Sequence, residues 1–137
     1  MPHSLAEDLP LHIFPRETIA EGAVLHHFGL INAAADSLDR PIWVSDVYDD
    51  ALPYKTFGTP THYTQFVTGT QFAIVDLNGV SLQQIAAKHG VSSHSEWNRR
   101  LARYLDENNV IGIVYCGREI FLSQPQLVVA TLRSTII

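Results

Sequence analysis

Cysteine and charge are both scarce in this 137-residue chain, and each scarcity removes a class of explanation. One cysteine, Cys116, cannot form an internal disulfide, so the fold is not built around oxidising-compartment chemistry and a cytoplasmic home is expected. Charged residues make up 17%, with no run of like charge and no low-complexity tract, which excludes a long disordered tail. No apolar run is long enough to span a bilayer. The opening MPHSLAEDLPLHIFPRE also lacks a basic start followed by an apolar stretch, so neither export nor anchoring is expected and no membrane partner is implied. Catalytic signatures are missing too. There is no H-E-x-x-H, no G-x-S-x-G and no cysteine-histidine pair, and Gly58-Thr59-Pro60-Thr61 has too few glycines and no lysine for a phosphate loop. No cofactor is implied.

What is present is apolar. At 46% hydrophobic residues the chain can fill a core as one compact domain, and no linker composition or internal repeat divides it. Charge divides it instead. Residues 1–78 carry three Lys/Arg against ten Asp/Glu, net −7, and residues 79–137 carry six against four, net +2. An acidic α+β half is therefore followed by a mildly basic one. Nucleic-acid binding needs positive surface to replace counterions, which the second half can supply locally; the first half equally suits a basic partner.

In chain order, Pro2, Pro10 and Pro15 make residues 1–17 irregular, anchored by Leu9, Leu11, Ile13 and Phe14. A helix is expected over about 18–35, where Ala20, Val24, Phe28 and Ile31 recur at three- and four-residue spacing, although Gly22 and Gly29 weaken it. Strands are expected at about 42–48, 63–67 and 71–77, the last two joined as a hairpin through Thr68-Gly69-Thr70. Residues 49–60 read as a loop, and the aromatic rings from Tyr48 to Tyr63 either make contacts or simply pack. After Pro125, Leu127–Leu132 is a strand or a short helix. The apolar ending Ile136-Ile137 belongs in the core or in a second subunit, so a homodimer is expected, which light scattering would detect.

The strongest local signals lie in residues 81–122. Ser81-Leu82-Gln83-Gln84 and Ser93-His94-Ser95-Glu96 both have the form of a capping box, and Gly90 closes the first helix. Trp97, Leu101, Tyr104 and Leu105 put one face of the second helix in the core. Val110–Tyr115 and Arg118–Leu122 read as strands joined by a Cys116-Gly117 turn. This order resembles a winged helix-turn-helix, with no particular family indicated. In the usual arrangement a third helix packs across the pair, and here it would be Thr18–Phe28.

The resemblance implies a DNA-binding regulator. Ser93, His94, Ser95 and Asn98 would reach base edges, Arg99, Arg100 and Arg103 would meet phosphates or guanines, and Arg118 on the hairpin would touch the backbone. Glu96 and Glu107 share the arginine arc, so ordinary ion pairing explains the same row, and a protein-interaction module is the alternative. The partner is thus duplex DNA or another protein. Metal ligation has only weak candidates in His26, His62, Asp46 and Asp49, because adjacent His26 and His27 point about 100° apart on a helix. Cys116 has no histidine near it in sequence, so it reads as a spectator thiol and no catalytic residue is assigned.

Overall fold

Four α-helices and eight strands lie among the described residues, 5–28, 41–51, 62–115 and 118–136 of a computed structural model. In chain order they are α1 (Leu5–Asp8), β1 (Arg16–Ile19), β2 (Val24–Phe28), β3 (Ile42–Ser45), α2 (Tyr48–Ala51), β4 (His62–Thr68), β5 (Phe72–Asp76), α3 (Leu82–Lys88), α4 (His94–Glu107), β6 (Gly112–Tyr115), β7 (Glu119–Leu122) and β8 (Val129–Ile136). The strands form one mixed sheet in the order β1-β5-β6-β7-β3-β2-β4-β8, with β5 and β6 the parallel pair. The α+β class follows the sequence expectation. Both charge halves contribute strands to the same sheet, so the charge boundary at residue 78 is not a break in the fold.

The helix-turn-helix is the part that local chemistry dictates. The Ser81 hydroxyl accepts from the Gln84 amide and the Ser93 hydroxyl from the Glu96 amide, each at 3.3 Å, while Gly90 at φ +72° turns the chain between them. Leu82, Ala86, Val91, Trp97, Leu101, Ala102 and Leu105 are buried against Val75, Ile113 and Phe121 of the sheet. The N-terminal segment closes the edge of this core. Leu9 and Leu11 are buried, and Tyr104 of α4 donates to the Leu9 carbonyl. Ile13 does not anchor it as expected, being 65% exposed.

The helix expected from residue 18 is instead β1, a turn and β2, as far as Phe28; residues 29–35 lie outside the described residues. The three-and-four spacing was fortuitous, since Ala20 and Val24 are exposed. Gly22 at φ +79° makes the turn, and β-branched Thr18, Ile19 and Val24 suit the flanking strands. No third helix therefore packs across α3 and α4 from this segment. The expected strand at 42–48 stops at Ser45, whose hydroxyl accepts from the Val47 amide and starts α2.

That turn also sets the shape of the sheet. β1 and β2 hold positions one and six, about 24 Å apart in a flat sheet at about 4.8 Å per strand. Ile19 and Val24 can span at most about 19 Å of chain. The sheet must therefore curl, and in the β1–β2 turn the Gly22 amide meets the Thr68 carbonyl at the end of β4. Leu25, Val44, Phe66, Ile74, Val114 and Ile120 fill the resulting second core, on the face away from α3 and α4. The hairpin expected at 63–77 is overturned for the same reason: β4 pairs with β2 and β8, and β5 with β1 and β6. Phe66 and Ile74 belong to this same core from different parts of the curl.

The β6–β7 hairpin forms, with Gly112 opposite Leu122 and Tyr115 opposite Glu119. Its strands are interior ones, though, bonded outward to β5 and β3, so it is not a free wing. The C-terminal segment is a strand, β8, at the sheet's edge. Among the described residues no helix is long and apolar enough to cross a membrane.

Candidate functional site

Residues opposed across antiparallel strands project from the same face of a sheet. Ser45 of β3 is opposite Glu119 of β7 on one side and His26 of β2 on the other, so three polar residues from three strands form one row. Beside it runs an aromatic row, with Trp43 opposite Phe121 and Phe28 opposite Tyr63. This is the face that α3 and α4 cover over β5, β6 and β7, and a cleft opens toward β3 and β2.

The cleft has two compartments. The inner one, a cavity of about 70 Å³, has walls of Phe28, Trp43, Val44 and Ala51 and polar groups from His26, His27, Ser45 and Glu119. The outer one, a groove of about 640 Å³, runs between the sheet and the helix pair over a floor of Leu82, Val91 and Trp97. Ser93, His94, Asn98 and Tyr115 rim it. Trp43 and Glu119 line both compartments.

The inner polar groups are held in place. His26 stacks on Tyr63 at 5.9 Å and 17°, its Nδ1 hydrogen-bonds the Tyr63 hydroxyl, and Tyr48 of α2 meets it edge-on at 5.5 Å. His27 donates from Nδ1 to the Trp43 carbonyl at 2.7 Å. Burial lowers the pKa of both imidazoles below the usual histidine value, opposed by Asp46 at His26 and by the Trp43 carbonyl at His27. Burial likewise raises that of the Tyr63 phenol, with Tyr48 adding to it. At neutral pH these groups are neutral donors and acceptors, and Glu119 is the acidic residue among them.

The predicted DNA contacts are distributed otherwise. Ser93 caps α4 and its hydroxyl lies 2.9 Å from that of Ser95. Ser95 is exposed, and His94 and Asn98 face the groove, where Asn98 accepts from the Trp43 indole at 3.1 Å. Arg100 pairs with Glu96 at 2.9 Å. Arg99 and Arg103 are exposed, with no ion-pair partner among the described residues. Arg118, at φ +60°, is committed elsewhere. It makes two bonds to Glu17 at 2.6 and 2.7 Å and two to Asp46 at 3.1 and 2.6 Å, tying the hairpin to β1 and to the end of β3. Those bonds raise its pKa further above the ordinary arginine value.

Among the described residues the weak metal candidates form no ion-binding cluster. His26 is bonded to Tyr63, Asp46 to Arg118, and His62 lies on β4 opposite Ile136; the Asp49 side chain and Cys116 lie outside what is described. No group of three or more His, Cys, Asp or Glu able to hold an ion occurs among the described residues. Conversely, sequence reasoning missed Trp43, Ser45 and Glu119 as site residues. A lone acid in the otherwise apolar strand Glu119–Leu122 was the available signal. Comparison with protein-family models, curated proteins and solved structures finds no match.

Proposed function

We propose that the protein binds a small organic molecule in this cleft, with a flat, uncharged or cationic head in the inner cavity, and that Glu119 is the residue that acts on it. The observation that carries the reading is the row Glu119, Ser45, His26 backed by the rings of Trp43 and Phe28. Aromatic walls favour a planar group, and a carboxylate beside an indole favours positive charge. Two imidazoles whose pKa burial lowers supply no positive charge to attract an anion at neutral pH. Chemically, a glutamate carboxylate in such a site can accept hydroxyl hydrogen bonds and stabilise positive charge that develops on a ligand. Transfer or hydrolysis at a carbon that becomes cation-like is the reaction class this suits, with the groove available for the rest of the substrate.

The test uses one-ring probes. N-methylpyridinium is expected to bind and benzoate is not, with N-methylpyridinium affinity falling about tenfold in Glu119→Gln, or about 1.4 kcal/mol. Equal binding of the two probes, or no change in the variant, would remove the reading.

A second reading, a DNA-binding regulator, is favoured by Arg99 and Arg103, which are exposed on α4. Duplex binding that weakens steeply between low and physiological salt, and weakens further in Arg99→Ala with Arg103→Ala, is its expected outcome. Absence of duplex binding at low salt would dismiss it. A protein partner for the same face is its alternative. A reducing, cytoplasmic location suits either reading for a chain with one cysteine.

A further inference from the structure

Trp43 lines both the cavity and the groove, so whatever sets the angle of its indole shapes the boundary between the two. Among the described residues, two directional contacts bear on the ring. Phe121 packs against it at 4.9 Å and 50°, and the indole N–H donates to Asn98 Oδ1 from a residue 55 positions away. An aromatic contact leaves a ring free to slide, whereas a hydrogen bond fixes one edge. Asn98 is itself carried by a rigid element. Its neighbour Trp97 is buried in the core of α3 and α4, and the Ser93 cap fixes where the helix begins. The indole N–H can only donate, so the oxygen of the Asn98 amide faces it and the NH₂ is left as a donor on the groove side.

We propose that Asn98 is a positioning residue of the cleft: by accepting the Trp43 N–H it holds the indole as the partition between the two compartments, and through it the helix pair controls ligand passage from the groove into the inner cavity. The proposal rests on the cleft reading above. It gives α3 and α4 a part in small-molecule recognition, separate from any contact their outer face makes.

The chain has two tryptophans, so the two indole N–H signals of ¹⁵N-labelled protein can be told apart with Trp97→Phe. In the wild type the Trp43 N–H is expected to exchange slowly with solvent. Asn98→Leu, which keeps the size and loses the acceptor, should speed that exchange at least tenfold and weaken N-methylpyridinium binding about tenfold. Asn98→Asp, which keeps an acceptor oxygen, should restore slow exchange and bring affinity to within about threefold of wild type. Wild-type exchange or wild-type affinity in Asn98→Leu would overturn the positioning role while leaving the cleft reading intact. Should Asn98→Leu fail to fold, a Trp43 N–H that exchanges in the wild type as fast as a free indole overturns it equally. Failure of N-methylpyridinium to bind the wild type would overturn the cleft reading and, with it, this role.

Discussion

Gly112 shows how close packing of neighbouring strands excludes a single side chain. A Cβ built there would lie 2.6 Å from the Phe121 carbonyl oxygen and 3.3 Å from an Ile74 methyl, and neither a ladder carbonyl nor a fully buried isoleucine can give way cheaply. Gly112→Ala is therefore expected to destabilise the fold by about 2–3 kcal/mol, read as a lower urea midpoint at unchanged slope. Gly22 is required for another reason. Its φ of +79° carries the turn between two strands, and the space around it is open. Neither requirement is visible in the local sequence. Gly112 follows Ile111 in an ordinary apolar strand pattern, and Gly22 reads as a weak spot in a helix.

The helix-turn-helix is the element that was most legible beforehand, because its determinants lie within a few residues of each other. Ser81, Ser93 and Gly90 act on amides and carbonyls one turn away, and the apolar stripe of α4 needs only a core to face. Loss of the Ser93 cap in Ser93→Ala is expected to cost about 1 kcal/mol, measured by chemical denaturation. The strand pairing of 62–68 and 72–76 was illegible for the opposite reason. A glycine between two β-rich runs signals a hairpin, but Gly69 donates its amide to Val128 and Thr68 meets the β1–β2 turn, so each strand is claimed by partners distant in sequence. The β6–β7 hairpin was legible as a pairing and illegible as a position, since nothing local tells an interior ribbon from a free one.

Across the whole molecule, several groups titrate to the same effect in acid. Asp8 is held below the usual carboxylate range by hydrogen bonds from Lys88 and His89, which fasten the N-terminal segment to α3. His26 and His27 are held below the usual histidine value by burial. In each case the unfolded chain binds protons at a higher pH than the folded one, so stability falls as pH falls. The histidine contribution should be lost from about pH 6.5 downward, and that of Asp8 below about pH 4. Urea midpoints measured from pH 7.5 to 3.5 are expected to fall monotonically; a midpoint that rises below pH 6.5 would contradict the histidine assignment. Asp8→Asn should flatten the lowest part of that profile without altering the upper part.

The charge asymmetry, the scarcity of cysteine, the two capped helices and the apolar strands could all be read from neighbouring residues, because propensity, capping and periodicity are local properties. Sheet order, the curl that joins β1 to β2, and the meeting of Glu119, Ser45 and His26 could not. Those three residues are 74 and 19 positions apart along the chain, and only a register set by two cores brings them into one row. Asn98 marks the border between the two kinds of information: its place on a helix follows from the Ser93 cap, and its contact with Trp43 follows from how that helix packs on the sheet.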